Sequence, residues 1–217
     1  MSGITVFTTV FGNTDPLHEP ACTGSARFVC FTDQPIRSSK WEIVPVQQQV
    51  APTRTARLMK ALSHQTVETE WSLWMDANFT LLVDPERLLK YGDFVNFFHS
   101  DRTRISDEAR EIIRLKKALP EATLRQLEAY QTDGFDTKES PQPALSCNGV
   151  ILRRHTPQVV ALNEMWAEEI SKHTLRDQMS LDYCAWKLDF EISRWPGLHD
   201  RNPFFRHTHY RRPVNDY

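Results

Sequence analysis

The hydrophobic positions of this chain fall into short apolar runs separated by polar segments. Runs at residues 4–11, 28–32, 41–46 and 94–98 are rich in β-branched and aromatic side chains and predict strands. Two more apolar runs cover residues 71–82 and 145–152. The long run at residues 71–82 is typical of a strand that is buried on both faces of a sheet.

The polar segments between these runs have helical periodicity. They cover residues 52–67, 84–91, 106–119, 120–132 and 177–188, and another helix begins at Thr156 and Pro157. Alternation of strands and helices predicts an α/β protein with a mostly parallel central sheet flanked by helices. The 217 residues fit one domain, with a helical insertion at residues 100–143 and a basic tail at residues 202–217.

Composition narrows the class of protein. The formal charge of −2 gives no global attraction to nucleic acid or to an anionic membrane. No apolar stretch approaches the roughly 20 residues that span a bilayer, and no basic segment precedes the first strand, so we expect neither a transmembrane segment nor a signal peptide. The four cysteines are scattered without a CxxC pair, which suits reduced thiols in a cytoplasmic protein.

The clearest candidate for chemistry is the segment Trp74-Met75-Asp76-Ala77-Asn78 within the apolar run. In a strand, side chains two positions apart point the same way, so Asp76 and Asn78 would share one side at the strand's end. Two oxygen ligands suit a hard cation such as Mg²⁺ or Mn²⁺, whose shell phosphate oxygens would complete. The alternative is an Asx-turn that closes a core strand.

Two groups of basic residues could bind phosphate. Arg57, Lys60 and His64 fall on one face of the helix predicted at residues 52–67 and could hold nucleotide phosphates, or could simply form its solvated face. His99 and Arg102 follow the strand at residues 94–98, where ligands bind in open α/β sheets. A histidine at a strand end is also commonly an ordinary hydrogen-bonded residue.

Two later segments also carry candidate groups. Asp177 could cap the helix that follows it, while Gln178 and Asp182 lie one turn apart and could hydrogen-bond a polyol. His207 and His209 form an H-x-H pair that could bind a metal ion, or could be an unremarkable part of a cationic tail.

Taken in order, these segments resemble a GT-A-type glycosyltransferase. They resemble more closely a glycosyltransferase-like family, catalogued as a domain of unknown function, with bacterial polysaccharide-associated and plant cell-wall members. The matching features are SLWMDANFTLLVDP at residues 72–85, His99 and Arg102 followed by Asp-Glu-Ala at residues 107–109, and RDQMSLDY at residues 176–183. The resemblance covers roughly residues 4–190, nearly the whole chain.

The resemblance implies a nucleotide-sugar donor bound at the carboxyl edge of the sheet and a glycan or lipid-linked acceptor. It places Mn²⁺ or Mg²⁺ on Asp76 and Asn78, with His207 or His209 completing the shell, and puts Asp177 and Gln178 at the reacting sugar. Arg57, Lys60, His64, His99 and Arg102 would bind the donor.

Two other functions stay open. The neutral amide of Asn78, where relatives have a second carboxylate, also suits a catalytically silent module that binds carbohydrate or scaffolds an assembly. A phosphohydrolase with Asp76 as nucleophile fits less well, because such folds usually place that residue after the first strand, which here ends in Phe11-Gly12-Asn13.

Overall fold

A computed structural model describes residues 3–12, 16–47, 51–140, 142 and 144–208. Within these residues, nine strands form two sheets: β1 (Ile4–Val10), β2 (Arg27–Thr32), β3 (Glu42–Pro45), β4 (Trp71–Met75), β5 (Phe79–Leu81), β6 (Phe94–Phe98), β7 (Ser146–Arg154), β8 (Ser193–Arg194) and β9 (Phe205–His207). The central sheet has seven strands in the order β3-β2-β1-β4-β7-β6-β8. The other two, β5 and β9, pair antiparallel beside it.

The central sheet is parallel except for one strand. Strands β1 to β4 run parallel, and β8 runs parallel to β6. Strand β7 lies between β4 and β6 and is antiparallel to both. The prediction of an α/β fold with a mostly parallel sheet is confirmed. The carboxyl ends of β1, β4 and β6 therefore meet at one edge, where β7 begins.

The helices follow the predicted order. They are α1 (Pro52–Ala61), α2 (Ser63–Thr66), α3 (Ile105–Arg114), α4 (Pro120–Thr132), α5 (Pro157–Lys172) and α6 (Leu181–Lys187), with 3-10 segments at Pro85–Tyr91 and Asp177–Met179. Thr156 caps α5, because its hydroxyl accepts a hydrogen bond from the N–H of Val159 at 3.3 Å.

Three predicted elements are each two elements in the structure. The helix predicted at residues 177–188 is the 3-10 segment Asp177–Met179 followed by α6. The helix at residues 52–67 breaks at Leu62, whose backbone has φ −89° and ψ 48°. The apolar run at residues 71–82 leaves the central sheet after Met75 and turns. The N–H of Phe79 donates to the carbonyl of Asp76 at 3.0 Å across this turn. Because Asp76 and Asn78 lie in a turn, the prediction that strand alternation aligns their side chains is wrong.

The core covers both faces of the central sheet. Alternation along β1 sends Phe7 into one cluster and Val6 into the other, and the same holds for Trp74 and Leu73 on β4. Helix α5 covers the first face with one side, which carries Val159, Leu162, Trp166 and Ile170. Within the described part of the chain, no helix is long and apolar enough to cross a membrane.

The helical insertion is part of this core. Ile105 and Ile112 of α3 and Tyr130 of α4 are buried in the cluster on the α5 face. The side-chain amide of Gln142 donates to Asp182 on α6 at 3.0 Å, which ties the end of the insertion to the body of the protein. Helix α3 also contacts the 3-10 segment Asp177–Met179.

Candidate active site

Lys60, in the last turn of α1, joins two of the predicted site carboxylates. Its Nζ lies 2.8 Å from Asp177 Oδ2 and 3.6 Å from Asp76 Oδ1. Arg57, one turn earlier on the same helix, places Nη1 3.3 Å from Asp177 Oδ2. The Lys60 side chain is buried and that of Arg57 is 24% exposed, so these two residues do not form a solvated helix face.

Asp177 is a buried, ionised carboxylate. Burial raises its pKa, but the nearby charges of Arg57, Lys60 and Arg176 outweigh this and hold the pKa well below its usual range. The carboxylate does not cap a helix. Asp177 lies inside the 3-10 segment, and its backbone carbonyl accepts hydrogen bonds from the indole N–H of Trp166 at 2.9 Å and the N–H of Ser180 at 3.4 Å.

Asp76 follows β4 directly and is 38% exposed at its side chain. The indole N–H of Trp74 donates to its Oδ1 at 2.8 Å, and the Lys60 ammonium lies 5.3 Å from the Trp74 ring centroid. The backbone of Asp76 donates to the carbonyl of Gly149 on β7 at 2.8 Å. A Cβ at position 149 would lie 2.9 Å from the ring of Phe79, so only glycine leaves room for this ring beside the Asp76 turn.

Asn78 and His207 meet where β5 pairs with β9. The amide Nδ2 of Asn78 donates to Nε2 of His207 at 3.1 Å, and the His207 ring stacks on Phe79 with centroids 4.5 Å apart. The Oδ1 of Asn78 is buried and has no hydrogen-bond partner among the described residues. His209, the predicted third metal ligand, lies outside the described residues.

The protein groups that could hold a metal ion are few. Asp76 offers one carboxylate and Asn78 one amide oxygen that no described group occupies. Over the described ranges, no group of three or more histidine, cysteine, aspartate or glutamate side chains could hold a metal ion. A divalent cation at this edge therefore fits only if ligand oxygens, such as those of a diphosphate, supply much of its shell.

His99 and Arg102 belong to a second cluster at the end of β6. Nδ1 of His99 accepts the backbone N–H groups of Asp101 and Arg102 at 3.0 and 3.1 Å. Arg102 Nε donates to Glu108 Oε2 on α3 at 2.7 Å. Burial and the charge of Arg102 lower the pKa of His99 to about 4, so its ring is neutral at pH 7.

Arg176 connects the two clusters, and the sequence analysis did not single it out. It interacts electrostatically with Arg57 and Asp177 on one side and with Glu108 on the other. Its Nε, like the side-chain Nε2 of Gln178, is buried without a hydrogen-bond partner in the described part of the chain. Arg176 is the first residue of the RDQMSLDY motif, and this position was the one signal in the sequence that could have identified it as a site residue.

Two other candidates lie elsewhere. The break at Leu62 places His64 on α2, where its ring contacts Asn163 at 3.3 Å and Glu164 at 3.7 Å and lines a separate cavity of about 550 Å³. The carboxylate of Asp182 is buried and already accepts hydrogen bonds from Ser146 and Gln142, so it is not open to a polyol.

A larger cavity, of about 760 Å³, lies at the carboxyl ends of β2 and β3. Thr32, Asp33, Gln34, Val46 and Gln47 are among its lining residues. The N–H of Gly12, just after β1, donates to Asp33 Oδ1 at 2.9 Å. Because β1 separates β2 from β4, the end of β2 lies about 10 Å from that of β4, two strand spacings away.

Comparison with known proteins identifies the family. The chain is 27% identical over 164 residues to the probable hexosyltransferase MUCI70 of Arabidopsis thaliana, a match that covers 69% of this chain and 28% of that protein. The chain thus spans little more than a quarter of the length of this relative. The profile of the TOD1/MUCI70 glycosyltransferase-like domain matches residues 1–209. The chain therefore belongs to the TOD1/MUCI70 glycosyltransferase-like domain family.

Proposed function

We propose that this protein transfers a sugar from a nucleotide-diphosphate-sugar donor to a glycan or lipid-linked acceptor. The observation that carries the proposal is the ionised, buried Asp177, held by Lys60 and Arg57 beside Asp76 at the carboxyl edge of a mostly parallel sheet. Ligands of open α/β folds bind at this edge. Because the relative is named a probable hexosyltransferase, we infer that the transferred sugar is a hexose.

The donor would lie across the ends of β2, β1 and β4. The cavity at Asp33 and Gln34 would take the nucleoside, and Lys60 and Arg57 would bind the diphosphate about 10 Å away. Ammonium and guanidinium groups form charge-assisted bonds to phosphate oxygens. An arriving diphosphate would share both cations with Asp177, whose carboxylate would stay ionised beside the sugar.

Mn²⁺ or Mg²⁺ would bind between Asp76, the Oδ1 of Asn78 and the diphosphate, with His209 as a further expected ligand. When bound, the cation neutralises charge on the departing diphosphate. Lys60 would also neutralise part of the diphosphate charge, since its ammonium lies 3.6 Å from Asp76. His207 would orient the amide of Asn78 through their 3.1 Å contact.

Asp177 and Gln178 would act at the reacting sugar. An ionised carboxylate beside the anomeric carbon can stabilise oxocarbenium-like charge or accept the proton of an acceptor hydroxyl. The unpartnered Nε2 of Gln178 is an amide donor that a sugar hydroxyl would satisfy.

Calorimetry with UDP-, GDP- and CDP-sugars, with and without Mn²⁺, tests the proposal. Wild type should bind one donor class, more tightly with Mn²⁺. Asp76→Asn keeps an acceptor for Trp74 but should lose the Mn²⁺-dependent part of the affinity. Asp84→Asn is the matched control, because Asp84 caps the 3-10 segment at Pro85–Tyr91 and asparagine caps equally well. No binding of any donor by wild type would refute the proposal, and equal Mn²⁺ dependence in Asp76→Asn would refute the metal assignment.

The neutral amide of Asn78 favours a second candidate, a catalytically silent module that binds carbohydrate or scaffolds an assembly. Such a module would bind sugars without turning over a donor. Release of free nucleotide diphosphate from the donor in the presence of Mn²⁺ separates the two, because only an enzyme produces it.

A further inference from the structure

Three cationic side chains surround one carboxylate beside the candidate active site. Arg102 donates to Glu108 at 2.7 Å, and Lys117 and Arg176 also lie within electrostatic range of Glu108. Glu108 is only 2% exposed. Burial holds the pKa of Glu108 above its usual value, although the three cations act to lower it.

The other carboxylates near this cluster already have partners. Asp177 is held by Lys60 and Arg57, Asp76 by Lys60, and Glu111 by Arg114. Glu108 is the carboxylate buried among Arg102, Lys117 and Arg176, while Glu111, Asp177 and Asp76 interact with these cations but are shared with others. Asp101 lies near His99. Partial burial is the main cause that lowers the pKa of Lys117, and the charges of Arg176 and Arg102 lower it further, whereas Glu108 and Glu111 raise it.

Two donors in the cluster lack a suitable acceptor. The Nε of Arg176 is buried without a hydrogen-bond partner in the described ranges. His99 accepts two backbone N–H groups at Nδ1, so its neutral ring carries its proton on Nε2. Arg102 Nη2 lies 2.6 Å from that Nε2 and, being a donor itself, offers the ring N–H no acceptor. An oxyanion at the rim of this contact could accept from the guanidinium.

We propose that Arg102, Lys117 and Arg176, with His99, form an anion subsite for an acidic group of the acceptor, a carboxylate or a phosphate on the acceptor sugar. The proposal rests on the proposed glycosyl transfer and adds the class of acceptor. Arg176 places the subsite next to Asp177, on the β6 and α3 side, while the cavity suited to the nucleoside lies on the β2 and β3 side. The sequence predicts that His99 and Arg102 bind the donor. In this proposal they bind the acceptor instead.

The test is direct binding of an acidic glycan to the protein without donor. The probes are an oligouronide, the same oligosaccharide with its carboxyl groups reduced to alcohols, and a hexose 1-phosphate, all measured by calorimetry. We expect wild type to bind the oligouronide or the sugar phosphate, and the reduced, neutral oligosaccharide at least about tenfold more weakly, since a hydrogen bond to a charged group contributes roughly 1.5–3 kcal/mol. Binding of the oligouronide would identify the anion as a carboxylate, and binding of the hexose 1-phosphate would identify it as a phosphate.

Lys117→Gln and Arg176→Gln should each weaken binding of the acidic probe by about tenfold or more. Lys116→Gln removes the same charge one residue away and should leave the affinity within about twofold of wild type, in line with the small effect of an exposed charge. Lys117 is exposed, so its variant keeps the test valid if Arg176→Gln fails to fold.

Two outcomes would overturn this subsite. One is equal binding of the acidic and reduced probes by wild type. The other is a loss of donor affinity in Lys117→Gln that matches its loss of acidic-probe affinity, which would assign the cluster to the donor phosphates and leave the proposed function standing. Binding of the acidic probe by a protein that binds no donor would instead refute the proposed function alone.

Discussion

Asp177 keeps its charge where water barely reaches it. A buried carboxylate is stable only when nearby cations compensate it, and Lys60 and Arg57 do so at 2.8 and 3.3 Å. The carboxylate of Asp177 in turn compensates the charges of Lys60 and Arg57. In Asp177→Asn, both cations would face a neutral amide.

Asp177→Asn should lower the free energy of unfolding by about 3–5 kcal/mol at pH 7, the usual cost of removing one partner from a buried ion pair. A helix cap would predict almost no change, because asparagine and aspartate cap equally well. Urea denaturation at pH 7 measures the difference, with Asp84→Asn as the capping control.

The pH dependence of this difference gives a second check. Because the pKa of Asp177 is lowered in the folded protein, its stabilisation is present above the unfolded pKa of about 4 and is lost as the pH falls below that value. The gap between wild type and Asp177→Asn should therefore shrink from pH 5 to pH 3. A gap that stays constant over this range would contradict the ion-pair account.

Arg57→Gln should weaken binding of the nucleotide-sugar by about 1–3 kcal/mol, since it removes a charged donor from the proposed diphosphate site. Arg57 is the better probe than Lys60, because Lys60 is buried and its loss would also destabilise the fold. Arg87→Gln, an exposed arginine in the 3-10 segment at Pro85–Tyr91, is the control for net charge. If calorimetry finds the same donor affinity in Arg57→Gln and Arg87→Gln, Arg57 has a purely structural role.

At the scale of the elements, β7 fixes the position of the active-site end of α1. The last carbonyls of a helix lack intrahelical partners and attract cations. Arg153 of β7 donates to the carbonyls of Lys60 and Ala61 at 2.7 and 3.1 Å, and to Asn163 on α5 at 3.0 Å. Burial lowers the pKa of this guanidinium, which has no exposed surface.

Arg153→Lys should lower the free energy of unfolding by about 1.5–3 kcal/mol and also weaken donor binding. An ammonium cannot fork between two carbonyls and an amide as a planar guanidinium does, so the end of α1 would lose its anchor. Arg154→Lys changes the next residue, whose partner Glu70 is exposed, and should cost less than about 1 kcal/mol. Similar losses in the two variants, by urea denaturation, would argue against the anchor.

The sequence allowed prediction of the longer strands and of their order along the chain, because buried strands are continuous apolar runs. It did not reveal the short strands β8 and β9, and β9 lies in the segment predicted only as a basic tail. It also did not reveal the break at Leu62, since the helical pattern of apolar residues continues through it. The turn at residues 76–78 entered only as the alternative of an Asx-turn, because apolar residues resume at Phe79 and favour one continuous strand. Phe79 and Leu81 remain buried, but against β9, more than 120 residues away in the sequence. Lys60 and Asp177 were recognisable as candidates, whereas their contact, and the part played by Arg176, depend on long-range packing that no local pattern contains.

At the scale of the whole molecule, the segment at residues 100–143 is a structural part of the protein. Its buried side chains, among them Ile105, Ile112 and Tyr130, share a core cluster with Trp166 of α5. The segment can be altered at its surface without loss of that core, but we do not expect it to be removable.

Replacing residues 105–132 by a short glycine-serine linker should abolish cooperative unfolding, because the α5 face of the core would be open to water. Thermal melting followed by near-ultraviolet circular dichroism measures this. Arg110→Ser, which changes an exposed side chain on α3, should melt within a few degrees of wild type. A cooperative transition in the linker variant would show that the segment is a separable module.

The place of β7 between β4 and β6 also sets an order of events during synthesis on the ribosome. In the described chain β6 pairs with β7 and β8, and β7 begins 48 residues after β6 ends. At a synthesis rate of 5–20 residues per second, β6 remains without a paired strand for roughly 2–10 seconds, and its apolar side chains stay exposed for that time. Nascent chains arrested before β7 has emerged should be cleaved by protease near β6, and chains arrested after β8 has emerged should be protected. We therefore expect the growing chain to bind chaperones that shield unpaired strand edges.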